Sequence, residues 1–194
     1  MVIKTRDRLI EVARQLFARK GVENTTMNDI ASASDKGRRT IYTYFKNKRD
    51  IYNAVVESES DKLLVNLRLI VARQVPAEDK LREYVAVRLE TMREIVSRNG
   101  SLRAGFFRDV RKVDRARKLI SQKEIALLRE ILEEGMANDE FRIKDAGHTA
   151  VIITHMIHGL DVTYIRDSLS DKGIDQEMLA EYFSNLLLEG LMKR

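Results

Sequence analysis

Pro76 is the only proline in a chain of 194 residues. Proline and glycine punctuate sheets at their turns, and one proline with nine glycines leaves little material for a many-stranded fold. Alternating β-branched runs are also scarce. Leu, Ile, Ala, Glu, Lys and Arg instead recur at three- and four-residue spacing, the period of helices that bury one face. The chain therefore reads as all-α, with about nine helices. At 44% hydrophobic residues it carries enough apolar surface to fold. It contains no cysteine, which excludes disulfides and thiolate metal sites and fits a reducing cytoplasm, the expected location.

The first residues, MVIKTRDRLIEV, are charged every few positions and lack the apolar core of an export signal. The longest uncharged run, AGHTAVIITHMIHGL from Ala146 to Leu160, falls short of the roughly 20 apolar residues that cross a bilayer. It reads as a buried helix, and no membrane partner is expected.

Charge is unevenly spread. Residues 1–50 hold 12 Lys and Arg against 6 Asp and Glu, whereas residues 51–194 hold 23 against 24. All of the basic excess thus sits in the first quarter of the chain. That is the electrostatic footprint of a nucleic-acid-binding module on a neutral body, although charge alone would fit a solvated basic face equally well.

The pattern of helices divides the chain the same way. Thr5 is placed to cap a first helix with inward positions Leu9, Ile10, Ala13, Leu16 and Phe17, ended by Gly21. Thr26 with Asp29 three residues on forms a capping-box pattern for a short second helix that buries Met27, Ile30 and Ala33. The turn-forming SDKG follows, then a third helix over Arg38 to Phe45. Helix, four-residue turn, helix is the geometry of a DNA-reading head.

The stretch KGRRTIYTYFKNK, Lys36 to Lys48, crowds cations and rings where neither builds a good core. On a helical wheel Ile41 and Phe45 share the inward face, with Arg39 and Thr43 opposite and Thr40 and Tyr42 flanking. Phe45 has no polar atom and anchors the helix. Tyr42 and Tyr44 can lay their rings on the surface and aim hydroxyls at phosphates. Arg38 and Arg39, near the helix N-terminus, stand where side chains meet base edges in a major groove. Lys48 opens the next long helix, where its ammonium and the unpaired backbone N–H groups can hold a phosphate.

RDRLIEVARQLFARKGVENTTMNDIASAS followed by TIYTYFKNKRDIYNAVV, over about Arg6 to Val56, resembles the TetR-type transcriptional regulators. The combination of TT, DIA, the TIYTYF string and a Lys three positions after its Phe carries the likeness. The resemblance implies an N-terminal helix-turn-helix domain over residues 1–48 and a helical effector-binding and dimerisation domain over 49–194. It implies DNA contacts at Thr26, Arg38, Arg39, Thr40, Tyr42, Tyr44 and Lys48. Relatives usually place Gly and an apolar residue in the turn and a small residue at position 39. Here those slots hold Asp35, Lys36 and Arg39, so a base preference unlike that of typical relatives is expected.

Farther along, a long helix is expected over 48–73, another from Pro76 to Ser97 stopped by Asn99-Gly100, and two more over SLRAGFFRDV and RARKLISQKEIALLREILEEGMA. The segments EEGMANDEFR, HMIHGL and YFSNLLLEGLMKR resemble the end of a body helix and the last two helices of the family. In such proteins the last two helices pair with those of a second subunit. Leu179, Tyr182, Phe183, Leu186, Leu187, Gly190 and Leu191 form one broad apolar face, and Gly159 suggests a close helix approach. A homodimer is expected, unless both stripes merely complete a monomer core.

Met92, Phe106, Phe107, Leu128, His155 and Met156 are candidates for an effector pocket, with ordinary core packing as the alternative for the apolar ones. His148, His155, His158 and Asp161 fall along one helix, and the His155/His158 spacing suits a metal ion. Satisfied hydrogen-bonding histidines are the commoner case, so neither metal nor cofactor is assigned. Arg103, Arg108, Arg111 and Arg115, interrupted by Asp109 and Asp114, read as a solvated face. No Gly-rich phosphate loop and no Ser/His/acid constellation supports catalysis. The expectation is a dimeric regulator, a repressor of duplex DNA sites released by a small molecule. The competing reading is a helical interaction protein or an enzyme reusing the scaffold.

Overall fold

A computed structural model describes residues 2–98 and 110–192. Among them are eight α-helices: α1 Val2–Lys20, α2 Met27–Ala33, α3 Arg38–Tyr44, α4 Lys48–Val71, α5 Ala77–Arg98, α6 Val110–Ala137, α7 Ala146–Ile165 and α8 Gln176–Leu191. A short 3-10 turn covers Ser170–Lys172. No described helix is long and apolar enough to cross a membrane. The expected helix over SLRAGFFRDV, the Asn99-Gly100 stop, Arg103, Phe106, Phe107, Arg108 and Asp109 lie outside the described residues, as do the side chains of Arg111, Asp114 and Arg115. The described residues form two compact units, one of residues 2–61 with 95–98 and 110–117 and one of residues 62–94 with 118–192.

The first unit is built on the apolar stripe of α1. Leu9, Ile10, Ala13, Leu16 and Phe17 are all buried, and they pack with Met27, Ile30, Ala31, Ile41, Phe45, Ile51 and Val55 in one cluster. Each Leu, Ile or Phe removed from water contributes roughly 1.5–3 kcal/mol, enough to hold helices of seven residues that would not persist alone. Gly21 stops α1 with φ 87°, a left-handed value that L-residues resist. Two expectations are corrected here. Thr5 lies inside α1, which begins at Val2, and Ala31 rather than Ala33 is buried. The latter follows from spacing, because position 31 sits one residue from Ile30 on the face that turns toward α1, whereas 33 is rotated out.

The second unit is framed by long helices. Leu63, Leu64, Leu67, Leu81, Val85, Leu89, Leu128, Ile131, Leu132, Ile153 and Ile157 are buried in it. At the end of α6, Asp139 takes φ 63°, and the N–H groups of Glu140 and Phe141 donate to the Gly135 carbonyl at 2.8 and 3.0 Å. This folds the Phe141 ring onto Gly135, where a Cβ would stand 2.2 Å from ring carbon Cδ2. Only glycine fits beneath that ring, which gives the EEGMANDEFR segment its physical reason. Arg142 N–H then donates to the Leu191 carbonyl at 2.7 Å, tying this turn to the end of α8.

A charged group lies inside this unit. The buried Arg88 guanidinium on α5 grips Asp161 of α7 with two bonds, at 2.6 and 3.1 Å, and also pairs with Glu124 of α6. His158 Nε2 lies 2.8 Å from the other Glu124 oxygen, and the Tyr84 hydroxyl donates to the Glu124 carbonyl at 3.2 Å. Burial pushes the Glu124 carboxyl upward, but the Arg88 charge and the His158 contact outweigh it and hold the carboxyl below its ordinary value. Burial likewise opposes the charge on Arg88, and Asp161 and Glu124 more than compensate. Three helices are thus tied through one cation.

Candidate nucleic-acid interface

The interface begins with caps, because its helices are too short to hold themselves. Thr26 Oγ1 accepts from Asp29 N–H at 3.1 Å, and Asp29 Oδ2 accepts from Thr26 N–H at 2.9 Å. This reciprocal pair fixes where α2 starts and holds the Asp29 carboxyl below its ordinary value. At its other end Lys36 N–H donates to the Ala31 carbonyl at 3.0 Å and Asp35 N–H to the Ser32 carbonyl at 3.1 Å, with Asp35 at φ 55°. That is a Schellman stop with aspartate in the left-handed seat usually held by glycine. Lys36 occupies the position after it, where an apolar contact with the helix is common, and here it is exposed. The Arg8 side chain braces the turn from α1, donating to the Ser34 carbonyl at 3.3 Å.

Gly37 caps α3 in an extended conformation. Ile41 and Phe45 are buried, so the helix is clamped by one face. Arg38, Arg39, Tyr42 and Thr43 stand on the other, exposed, with Thr40 and Tyr44 half-buried at its edges. The Tyr44 ring packs on the core cluster. The Arg38 guanidinium lies over the Tyr42 ring, 5.8 Å from its centre, and Arg6 lies over Phe45 at 5.5 Å, each a cation–π contact. Thr26 is exposed at the start of α2. At the start of α4, Asn47 Oδ1 accepts from Asp50 N–H and Asp50 Oδ2 from Lys46 N–H, both at 3.0 Å. The Lys48 ammonium donates to the Val22 and Glu23 carbonyls at 2.7 and 3.1 Å.

The residues expected to touch DNA therefore belong to one unit, and the arginines and Tyr42 share the outer face of α3. Sequence reasoning missed Arg6 and Arg8, whose contacts with Phe45 and Ser34 cross from α1 to the turn and to the end of α3. Their presence in a basic N-terminal segment was the only signal.

Four of the effector candidates, Met92, Leu128, His155 and Met156, fall among the described residues. Leu128 is buried, Met92 is half-buried, and His155 and Met156 are exposed on α7. These four are not among the described residues that line the open groove of about 920 Å³ in the second unit, whose walls include Asn66, Arg82, Glu90, Tyr164, Asp175 and Ser184. Burial, and then the Glu90 carboxylate, push the Tyr164 phenol up to about 12. The histidines have separate partners: His148 Nδ1 lies 3.1 Å from Asp145, His155 Nδ1 lies 2.8 Å from the Val151 carbonyl, and His158 meets Glu124. Asp161, grouped with them in the sequence, belongs to Arg88. Among the described residues no set of three His, Cys, Asp or Glu is arranged to hold a metal ion.

The broad apolar face expected on the last helix is split in two. Phe183, Leu187 and Leu191 are buried within the chain, whereas Tyr182 is 49% and Leu186 70% exposed. Positions 183, 187 and 191 repeat every four residues on one side, and 182 and 186 fall one step around. On α7, Ile152 and Met156 are also exposed. Among the described residues, a Cβ at Gly159 or Gly190 would meet nothing within 4 Å, so no described neighbour accounts for either glycine.

Comparison with known proteins agrees with the head. Residues 9–55 match the model of the family described as bacterial regulatory proteins, tetR family. A probable acrEF/envCD operon repressor of Escherichia coli K12 is 36% identical over 94 residues, 48% of this chain and 43% of the repressor. The chain thus matches less than half the length of that relative. The HTH-type transcriptional regulator QacR of Staphylococcus aureus Mu50 is 23% identical over 97% of this chain and 98% of its own. A transcriptional regulator from Cytophaga hutchinsonii has the same fold, with a TM-score of 0.76 at 23% identity, covering 96% of this chain and 98% of that one. With the capped α2–α3 pair and the clamped α3, it is the head of this chain, residues 9–55, that matches the tetR family of bacterial regulatory proteins.

Proposed function

We propose that this protein is a ligand-responsive transcriptional repressor that binds a palindromic duplex as a homodimer and acts in the cytoplasm. One observation carries the reading: α3 is held to the core by Ile41 and Phe45 while Arg38, Arg39 and Tyr42 face outward. A helix so clamped can enter a major groove, with Arg39 and Arg38 toward base edges and Thr26, Thr40, Tyr42 and Tyr44 around the phosphates. The basic excess of residues 1–50 supports this by steering the head to DNA. The exposed Ile152, Met156, Tyr182 and Leu186 with Gly159 and Gly190 support a second copy, since scattered apolar residues are ordinary but an exposed apolar pair at four-residue spacing on each of two helices is not. Repression follows the name of the Escherichia coli relative, and release by a small molecule follows the family's habit. Such release shifts binding only as far as the effector prefers one state over the other.

Selection of bound sites from random duplexes by the purified chain tests the reading. The expected result is two inverted half-sites and a dimer in sedimentation, with affinity falling steeply as salt rises. A monomer without duplex affinity at modest salt overturns it.

A further inference from the structure

The geometry points to Lys48 as a clasp for the α1–α2 loop, a positioning residue for the DNA-reading helices rather than a phosphate ligand. Its consequence for DNA rests on the proposed function, but the clasp itself does not. Lys48 is the first residue of α4, and its ammonium reaches back 26 and 25 residues to the carbonyls of Val22 and Glu23. An ammonium has three donors and no acceptor. Two are spent on neutral carbonyls, in charge-assisted bonds that are stronger than ordinary ones. A phosphate would have to take the third or draw the side chain off the loop.

The loop it holds leads directly into α2. Thr25 is buried, with its hydroxyl donating to the Gly21 carbonyl at 2.7 Å. Thr26 and Asp29 then set the start of α2, and the Schellman stop of α2 sets the approach to α3. Lys48 supports the middle of the loop between these fixed points. Its own backbone is fixed in turn, because the Asn47 and Asp50 caps define the first turn of α4 and Ile51 is buried in the same core. The side chain thus joins two rigid elements through the loop between α1 and α2. Losing it frees the entry to α2 while the core beneath stays packed.

The test uses the full chain with Lys48→Ala and Lys48→Arg, and two readouts. In the free protein, amide hydrogen exchange over residues 22–29 is expected to rise about tenfold in Lys48→Ala, the effect of losing a charge-assisted bond of about 1.4 kcal/mol. It is expected to return toward wild type in Lys48→Arg, with thermal unfolding close to wild type in both. On a selected duplex, Lys48→Ala is expected to bind about tenfold more weakly at fixed salt, with an unchanged slope of log affinity against log salt, and Lys48→Arg to recover the loss. A phosphate contact predicts instead that the slope falls by about 0.9 for each contact removed. Unchanged exchange in Lys48→Ala overturns the clasp, and a reduced salt slope overturns its separation from phosphate binding. If the wild-type chain binds no duplex, the functional reading fails and the exchange arm alone decides the clasp.

Discussion

The two units of this molecule are stabilised by different means. In the first, α2 and α3 have seven residues each and depend on caps at defined positions plus one small core. In the second, helices of sixteen residues or more predominate, and a single buried cation ties three of them together. Short elements are specified by near neighbours in the chain, whereas the charged group joins residues 36 and 73 positions apart. The comparison teaches that local chemistry can set the ends of the head's short helices, while the ties that hold elements together, Arg8 and Lys48 in the head and Arg88 in the body, join residues far apart in the chain.

The contrast is broken most severely at Arg88. Arg88→Met leaves Glu124 and Asp161 buried without their cation, and a loss of about 3–5 kcal/mol is expected. Urea unfolding followed by circular dichroism checks it. The head's equivalent is Ile41→Ala, with an expected cost of about 2–5 kcal/mol from a cavity in the core. Duplex binding should fall with it, because α3 loses the residue that clamps its inner face.

Gly135→Ala should cost about 1–3 kcal/mol by overpacking against Phe141, measured as a lowered melting temperature. Gly135→Ala combined with Phe141→Leu should recover part of the loss if the ring is the obstacle. Thr26→Ala removes one half of the capping box and should cost about 1 kcal/mol. Hydrogen exchange in the first turn of α2 should report it before global unfolding does.

The gentlest perturbation is a change of pH. Glu124 is held below its ordinary value of 4.5 in the folded chain. Its contribution to stability is therefore present above that value and is lost as pH falls through the lower folded value. The wild-type unfolding midpoint should decline in acid, and Glu124→Gln should flatten that decline while lowering stability at neutral pH.

The legibility of each region follows from the same contrast. The α1 stripe, the Thr26/Asp29 box, the Gly21 stop and the two faces of α3 were readable because each depends on residues within a few positions of one another. The Asp35–Lys36 turn was readable in outline, and its hydrogen bonds show why an exposed lysine is tolerated there. Phe183 and Leu187 looked like partners of Tyr182 and Leu186 because a stripe of apolar letters does not say which edge faces the chain's own core. Asp161 looked like a companion of the histidines, since Arg88 lies far away in sequence. Lys48 was placed at a helix start correctly, but its bonds to the loop carbonyls depend on how α4 returns past α1, which spacing does not encode.

The outward face of α3 as a reader of base sequence is tested most directly by repeating the duplex selection with Arg39→Ala. The account predicts that base preference relaxes at one position in each half-site, by about 1–3 kcal/mol of discrimination, while the spacing between half-sites is kept. An unchanged selected sequence with unchanged discrimination would contradict it.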